Sequence, residues 1–133
     1  MSDTKGINHL GLTVDNLEES KNFFVELLGW EESGYDKLYP RTAVSDGSVR
    51  LTLWQVDRSL DVAPFDRRRN IGLHHLALEV ESEEALNELH VKLLKYPGAN
   101  IEFPPELVGE GPRKHLMCNE PGGIRIEFIW LGS

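Results

Sequence analysis

Residues 72–80 read GLHHLALEV. Leu76, Leu78 and Val80 alternate with His75, Ala77 and Glu79, and a strand sends successive side chains to opposite faces. The stretch is therefore predicted as a strand with an aliphatic back and an open front that carries His75. Residues 7–14, INHLGLTV, show the same alternation. Leu10, Leu12 and Val14 form the back, and His9, Gly11 and Thr13 form the front. Laid over each other, the two stretches match Leu10 to Leu76, Leu12 to Leu78, Val14 to Val80 and His9 to His75. The repeat thus preserves a buried face and a histidine on the open face.

Working outward, each of these strands leads into a predicted helix and then into further short strands. After residues 7–14, Asp15 followed by Glu18 has the spacing of a capping box. Leu17, Phe24 and Leu28 recur at helical spacing over 17–28, with Phe23 and Leu27 beside them, and Gly29 is placed to end the helix. Strands are predicted at 31–35, 41–45 and 49–56, with Asp46-Gly47 as a hairpin turn. In the second half, Ser82 is the expected N-cap of a helix over 83–95 whose inner face is Leu86, Leu89 and Leu93. Pro97-Gly98 stops it. A short strand at 101–103 is expected to end at Pro104-Pro105, and strands at 114–118 and 124–130 follow, separated by Pro121-Gly122-Gly123. The order is β-α-β-β-β twice. It predicts an α+β fold of two βαβββ modules, about 5–56 and 72–131, joined by a polar linker at 57–71 into one domain of 1–133. With helices outside, the open faces would line an open, barrel-like cleft.

The chain has 133 residues, a length that suits one domain with a real core. Apolar residues make up 40% and charged residues 27%, the balance of a globular protein rather than a disordered or membrane one. A formal net charge of −8 argues against nucleic acid and anionic membranes as partners, both of which need a basic footprint. Arg67-Arg68-Arg69 is too short a run to reverse that. The first ten residues lack an apolar signal region and no run has membrane-spanning length, so the expected location is cytoplasmic. The single cysteine, Cys118, excludes an internal disulfide and a cysteine-based zinc site. Its parity puts it on a buried face.

Aligning the closing strands by their turns sets residues 49–53 on 124–128, and Thr52 on Glu127. Four open-face positions then correspond: His9, Thr52, His75 and Glu127. Two imidazoles and a carboxylate on rigid strands suit one divalent ion, with zinc, iron, manganese and nickel as candidates, and three protein donors leave positions open for a substrate. Taken singly, either histidine reads better as a satisfied polar residue at a strand end. The paired positions, and a carboxylate flanked by Ile126 and Phe128, favour the metal, because a buried carboxylate needs a partner. His115 is a candidate catalytic acid or base, or else a hairpin-edge histidine. Arg50 and Arg125 share the parity of Thr52 and Glu127. They are candidate substrate contacts for a carboxylate or phosphate, or rim residues paired with acids. Trp54 is a candidate pocket wall beside Thr52. His74 is expected on the opposite face from His75.

INHLGLTV with its helix ending LLGW, GLHHLALEV, and NEPGGIRIEF together resemble the vicinal-oxygen-chelate superfamily of glyoxalases, bleomycin-resistance proteins and dioxygenases. The resemblance covers nearly the whole chain. It implies paired βαβββ modules, a metal held by His9, His75 and Glu127, a small-molecule substrate chelated through adjacent oxygens, and a homodimer. Glu120 stands where the family's turn usually has Asp. Thr52 stands where glyoxalase I and methylmalonyl-CoA epimerase carry a fourth ligand, Glu or Gln, which argues against lactoylglutathione lyase activity. The implied function is a metal-dependent isomerase or lyase, dioxygenase or resistance-type transferase. The alternative is a non-catalytic protein that sequesters a small molecule, as bleomycin-resistance proteins do.

Overall fold

The computed structural model describes residues 1–133. The chain forms two compact units, Met1–Val62 and Ala63–Ser133, which part within the predicted linker.

Unit 1 runs β1 (Leu10–Val14), α1 (Leu17–Asn22), β2 (Glu31–Asp36), β3 (Arg41–Ser45) and β4 (Arg50–Gln55). Its sheet has the order β1-β4-β3-β2. β1 lies parallel to β4 and the other pairings are antiparallel. A parallel neighbour requires a crossover, and α1 with β2 and β3 supplies it. One sheet face packs on α1: Leu12, Val14, Val44, Leu51 and Leu53 are buried there with Phe23 and Phe24.

The start of α1 departs from the expected capping box. Asn16, not Asp15, is the N-cap, and its side chain accepts from the Glu19 backbone N–H at 3.0 Å. Asp15 is drawn away by Arg58, whose Nη2 lies 2.7 Å from its carboxylate. Gln55 adds a second acceptor, for the Leu17 N–H at 2.8 Å. Beyond Asn22 the helix widens into a π-helical stretch, Phe23–Leu27, with the Leu28 N–H reaching the Phe23 carbonyl. Phe23 and Phe24 are both fully buried in it and meet edge to face at 5.4 Å. Gly29 follows with φ 75°, a conformation that costs glycine little, and turns the chain so that Trp30 packs on Phe24.

Unit 2 repeats the plan with β5 (Leu76–Glu79), α2 (Glu83–Lys95), β6 (Asn100–Leu107), β7 (Lys114–Asn119) and β8 (Arg125–Trp130). Its sheet order is β5-β8-β7-β6, with β5 parallel to β8. Ser82 caps α2 as expected, accepting from the Ala85 N–H at 3.0 Å. Leu86, Leu89 and Leu93 are buried with Leu78, Leu116, Cys118, Ile126 and Phe128. Burial of each leucine contributes about 1.5–3 kcal/mol.

β6 corrects the expected short strand. It continues through Pro104-Pro105 to Leu107. β6 is an edge strand, so one of its sides needs no hydrogen bonds, and the register slips between Ile101 and Phe103 and again between Phe103 and Glu106. Prolines are tolerated in just such bulged edges. After β7, Glu120 is buried and its carboxylate accepts from the Gly122 N–H at 2.8 Å and the Ile124 N–H at 3.1 Å. The acid that stands in place of the usual Asp therefore closes the turn into β8.

Both sheets start one residue after their histidine: His9 precedes β1 and His75 precedes β5. The registers match as well. Leu10 pairs with Leu51 and Leu76 with Ile126; Gly11 pairs with Thr52 and Ala77 with Glu127. The correspondence read from the sequence is thus repeated in the ladders. No helix is long and apolar enough to cross a membrane.

Candidate metal-binding site

On the face of the unit 2 sheet away from α2, β8 places Glu127 between two histidines. Ala77 is its direct neighbour on β5 and Met117 its neighbour on β7. Diagonal positions on a sheet face lie within reach of long side chains. From those positions His75 brings Nε2 to 3.2 Å from Glu127 Oε1, and His115 brings Nδ1 to 2.5 Å from Glu127 Oε2. The small Ala77 side chain leaves that flank open. Side-chain exposure is 13% for Glu127, 18% for His115 and 34% for His75. The carboxylate is largely withdrawn from water, while His75 reaches solvent.

The remaining hydrogen bonds decide which nitrogen of His75 carries its proton. His75 Nδ1 lies 2.7 Å from His74 Nδ1, so one must donate. Arg125 Nη1, 3.4 Å from His74 Nδ1, can only donate. His74 Nδ1 is then the acceptor, and the hydrogen sits on His75 Nδ1. Partial desolvation, and then the Arg125 guanidinium and His75, hold the His74 pKa below the ordinary imidazole range, which keeps it an acceptor. With Nδ1 turned to His74, His75 presents Nε2 to Glu127 Oε1, which is an acceptor when ionised. An imidazole nitrogen and a carboxylate oxygen 3.2 Å apart are held by positive charge between them, a proton or a metal ion. Two N and O donors on one ion lie about 3–3.4 Å apart, given bond lengths of about 2.0–2.2 Å. By donor type and by separation, His75 Nε2 and Glu127 Oε1 match two neighbouring donors on one divalent ion.

His9 is exposed, and its Nδ1 lies 2.7 Å from Asn8 Oδ1. A carbonyl oxygen only accepts, so Nδ1 donates and Nε2 is left with its lone pair. The residue before each histidine, Asn8 or His74, thus holds the same ring nitrogen in both units. Of the three donors expected from the sequence, the structure brings together His75 and Glu127. It gathers no group of three His, Cys, Asp or Glu side chains around one ion position.

The other candidates are placed as follows. Thr52 is buried, and its Oγ1 accepts from Trp54 Nε1 at 3.0 Å. Trp54 is half-buried, with Tyr39 edge-on at 5.4 Å and the Arg41 guanidinium 5.6 Å over its ring. Arg50 is exposed at the start of β4. Arg125 gives Nε to Glu102 at 2.8 Å, and Asn119 supports the same oxygen at 3.0 Å. The Arg125 guanidinium holds the Glu102 carboxyl below its ordinary range.

Sequence reasoning missed three partners. His74 was expected on the opposite face, but residues 73–75 precede β5 and do not alternate as a strand, so its ring turns beside His75. Asn8 and the direct His115–Glu127 bond were also missed. The matched pairs Asn8-His9 and His74-His75 were the available signal for the first. The second depends on a register between β7 and β8 that no local pattern carries.

Residues 6–128 match the family model described as the Glyoxalase/Bleomycin resistance protein/Dioxygenase superfamily. A 2-epi-5-epi-valiolone epimerase from Actinomyces sp is 24% identical over 147 residues, covering 94% of this chain and 79% of the relative. The structure of a glyoxylase/bleomycin resistance protein/dioxygenase domain from Frankia sp. EAN1pec superposes with a TM-score of 0.79 at 28% identity, covering 96% of this chain and 93% of that one. A genomically encoded fosfomycin resistance protein from Listeria monocytogenes shares the fold, with a TM-score of 0.72 at 16% identity over 96% of this chain and 93% of that one.

Proposed function

Because the chain belongs to the Glyoxalase/Bleomycin resistance protein/Dioxygenase superfamily, we propose that it is a metal-dependent enzyme acting on a small substrate that is chelated through two adjacent oxygens. The observation that carries this reading is the approach of His75 Nε2 to Glu127 Oε1, 3.2 Å, on the half-buried face of unit 2. His75 and Glu127 are the proposed donors there. His9, the counterpart of His75 in the repeat, is the proposed third. When bound, a divalent ion supplies Lewis-acid stabilisation of negative charge on a substrate oxygen.

The chain's own residues supply the rest. Glu127 sits in a largely dry setting, where a charge interaction is worth more than in water. His115 keeps Nε2 on the side away from Glu127, and this nitrogen is the proposed route for proton transfer to or from the substrate. Trp54, stiffened by its bond to Thr52, and the Arg50 guanidinium are the proposed substrate contacts of unit 1. Arg125 is that of unit 2, where an incoming anion shares the guanidinium with Glu102. The epimerase among the relatives favours a proton-transfer isomerisation over oxygen chemistry.

The test is turnover of a panel of 2-hydroxy ketones, 1,2-diols and epoxides before and after treatment with a chelator. The reading expects turnover that the chelator abolishes and one of zinc, iron(II), manganese or nickel restores. Turnover untouched by chelation overturns it. A second reading, sequestration of a planar compound without turnover, draws on the Tyr39–Trp54–Arg41 cluster. Tight binding of a planar ligand to the metal-free chain, with no turnover of any substrate, would select it.

A further inference from the structure

We propose that His115 is a positioning residue that fixes which oxygen of Glu127 is offered to the metal ion. The inference rests on the reading above, in which Glu127 is a donor. A carboxylate has two equivalent oxygens and a soft terminal torsion, so it presents either oxygen unless one is tied down. Here Oε2 is tied by His115 Nδ1 at 2.5 Å, a charge-assisted contact, and Oε1 is the oxygen left facing His75.

The ring of His115 is held in turn. Phe103 lies against it, centroid to centroid 4.9 Å with the planes at 56°, and Glu106 Oε1 approaches Nε2 to 4.0 Å. Both come from β6, where the slips on either side of Phe103 re-aim the strand's side chains. Pro104 and Pro105 sit inside that bulged stretch and stiffen its backbone. The chain of support runs from the bulged edge strand to Phe103, to the His115 ring, to one oxygen of Glu127. Partners of this kind around a metal donor typically change affinity by about 10–100-fold when removed.

The experiment is calorimetric titration of the metal-free chain with zinc, and the visible absorption of the cobalt(II) form, for wild type, His115→Ala and His115→Asn. The Asn amide N–H lies near the place of Nδ1, so it can replace the hydrogen bond without replacing the ring. The expected result is zinc affinity lowered about 10–100-fold in His115→Ala at unchanged stoichiometry, a shifted cobalt spectrum, and recovery of most of both in His115→Asn. Wild-type affinity in His115→Ala overturns the inference and leaves the metal reading standing. Complete loss of the ion in both variants also overturns it, because His115 would then be a donor itself. A wild-type chain that binds neither ion overturns both.

Discussion

Thr52 pairs with Gly11 across the parallel β1–β4 ladder as Glu127 pairs with Ala77 across β5–β8. The two side chains occupy the same place in two copies of one sheet, and their chemistry differs. Glu127 faces two imidazoles. The Thr52 hydroxyl is used within its own strand, accepting from Trp54 Nε1. The repeat therefore ends in a carboxylate between two imidazoles in one copy and in a hydroxyl that holds an aromatic ring in the other. A Cβ on Gly11 would come to 3.2 Å from Thr52 Oγ1 and 3.5 Å from Trp54 Nε1, so that end is closely filled.

Thr52→Val removes the acceptor of Trp54 Nε1 and keeps the shape. It should lower stability by about 0.5–1.5 kcal/mol, the net worth of one neutral hydrogen bond. Urea denaturation measures it, and no change would mean that water serves Trp54 equally well.

Glu120→Ala should cost more. The buried carboxylate accepts from the Gly122 and Ile124 N–H groups. Its loss leaves donors unsatisfied at about 1–3 kcal/mol each. Hydrogen exchange should show new opening of the amides of Gly122 and Ile124 and of the start of β8, with α1 unaffected.

Glu102 gives a sign for acid sensitivity. Its folded pKa is depressed, mainly by the Arg125 hydrogen bond, with Asn119 adding to it and burial opposing. The unfolded chain binds that proton more readily, so the pair's stabilisation is full above the ordinary carboxylate range and is lost as pH falls through the folded pKa. Glu102→Gln should make the acid limb of the stability curve shallower. Parallel acid limbs for variant and wild type would contradict this.

Cys118 gives the opposite limb. Burial, followed by the charges of Glu120 and Glu102, pushes its thiol up to about 12. A raised folded pKa means that its contribution is full below the ordinary value of 9.0 and is lost as pH rises toward about 12. Thiol reagents should therefore not react with the folded chain at neutral pH, and Cys118→Ala should flatten the alkaline limb. Fast labelling of the native chain would contradict the burial.

What could be read in the sequence follows from period. The alternation at 7–14 and 72–80 fixes faces, so the match of His9 with His75 is legible in the sequence, and the turns before residues 49–53 and 124–128 make the match of Thr52 with Glu127 legible too. Leu86, Leu89 and Leu93 were legible from helical spacing. Pro104-Pro105 misled because a proline pair ends a central strand, whereas β6 lies at an edge, and edge position is a property of the whole sheet. Asp15 misled because the group that draws its carboxylate away from the cap, Arg58, lies 43 residues away. His115 was found as a residue but not as the partner of Glu127. That contact depends on the pairing of Met117 with Glu127 across β7 and β8.

The most direct test of the central claim is the metal content of the tag-free chain after exposure to zinc, iron(II), manganese or nickel, for wild type and for Glu127→Gln. The substitution keeps the size of the side chain and removes its charge. The account predicts a stoichiometric ion in wild type that is lost, or weakened by orders of magnitude, in the variant. Equal binding by both, or none by wild type with any of the four ions, would contradict it.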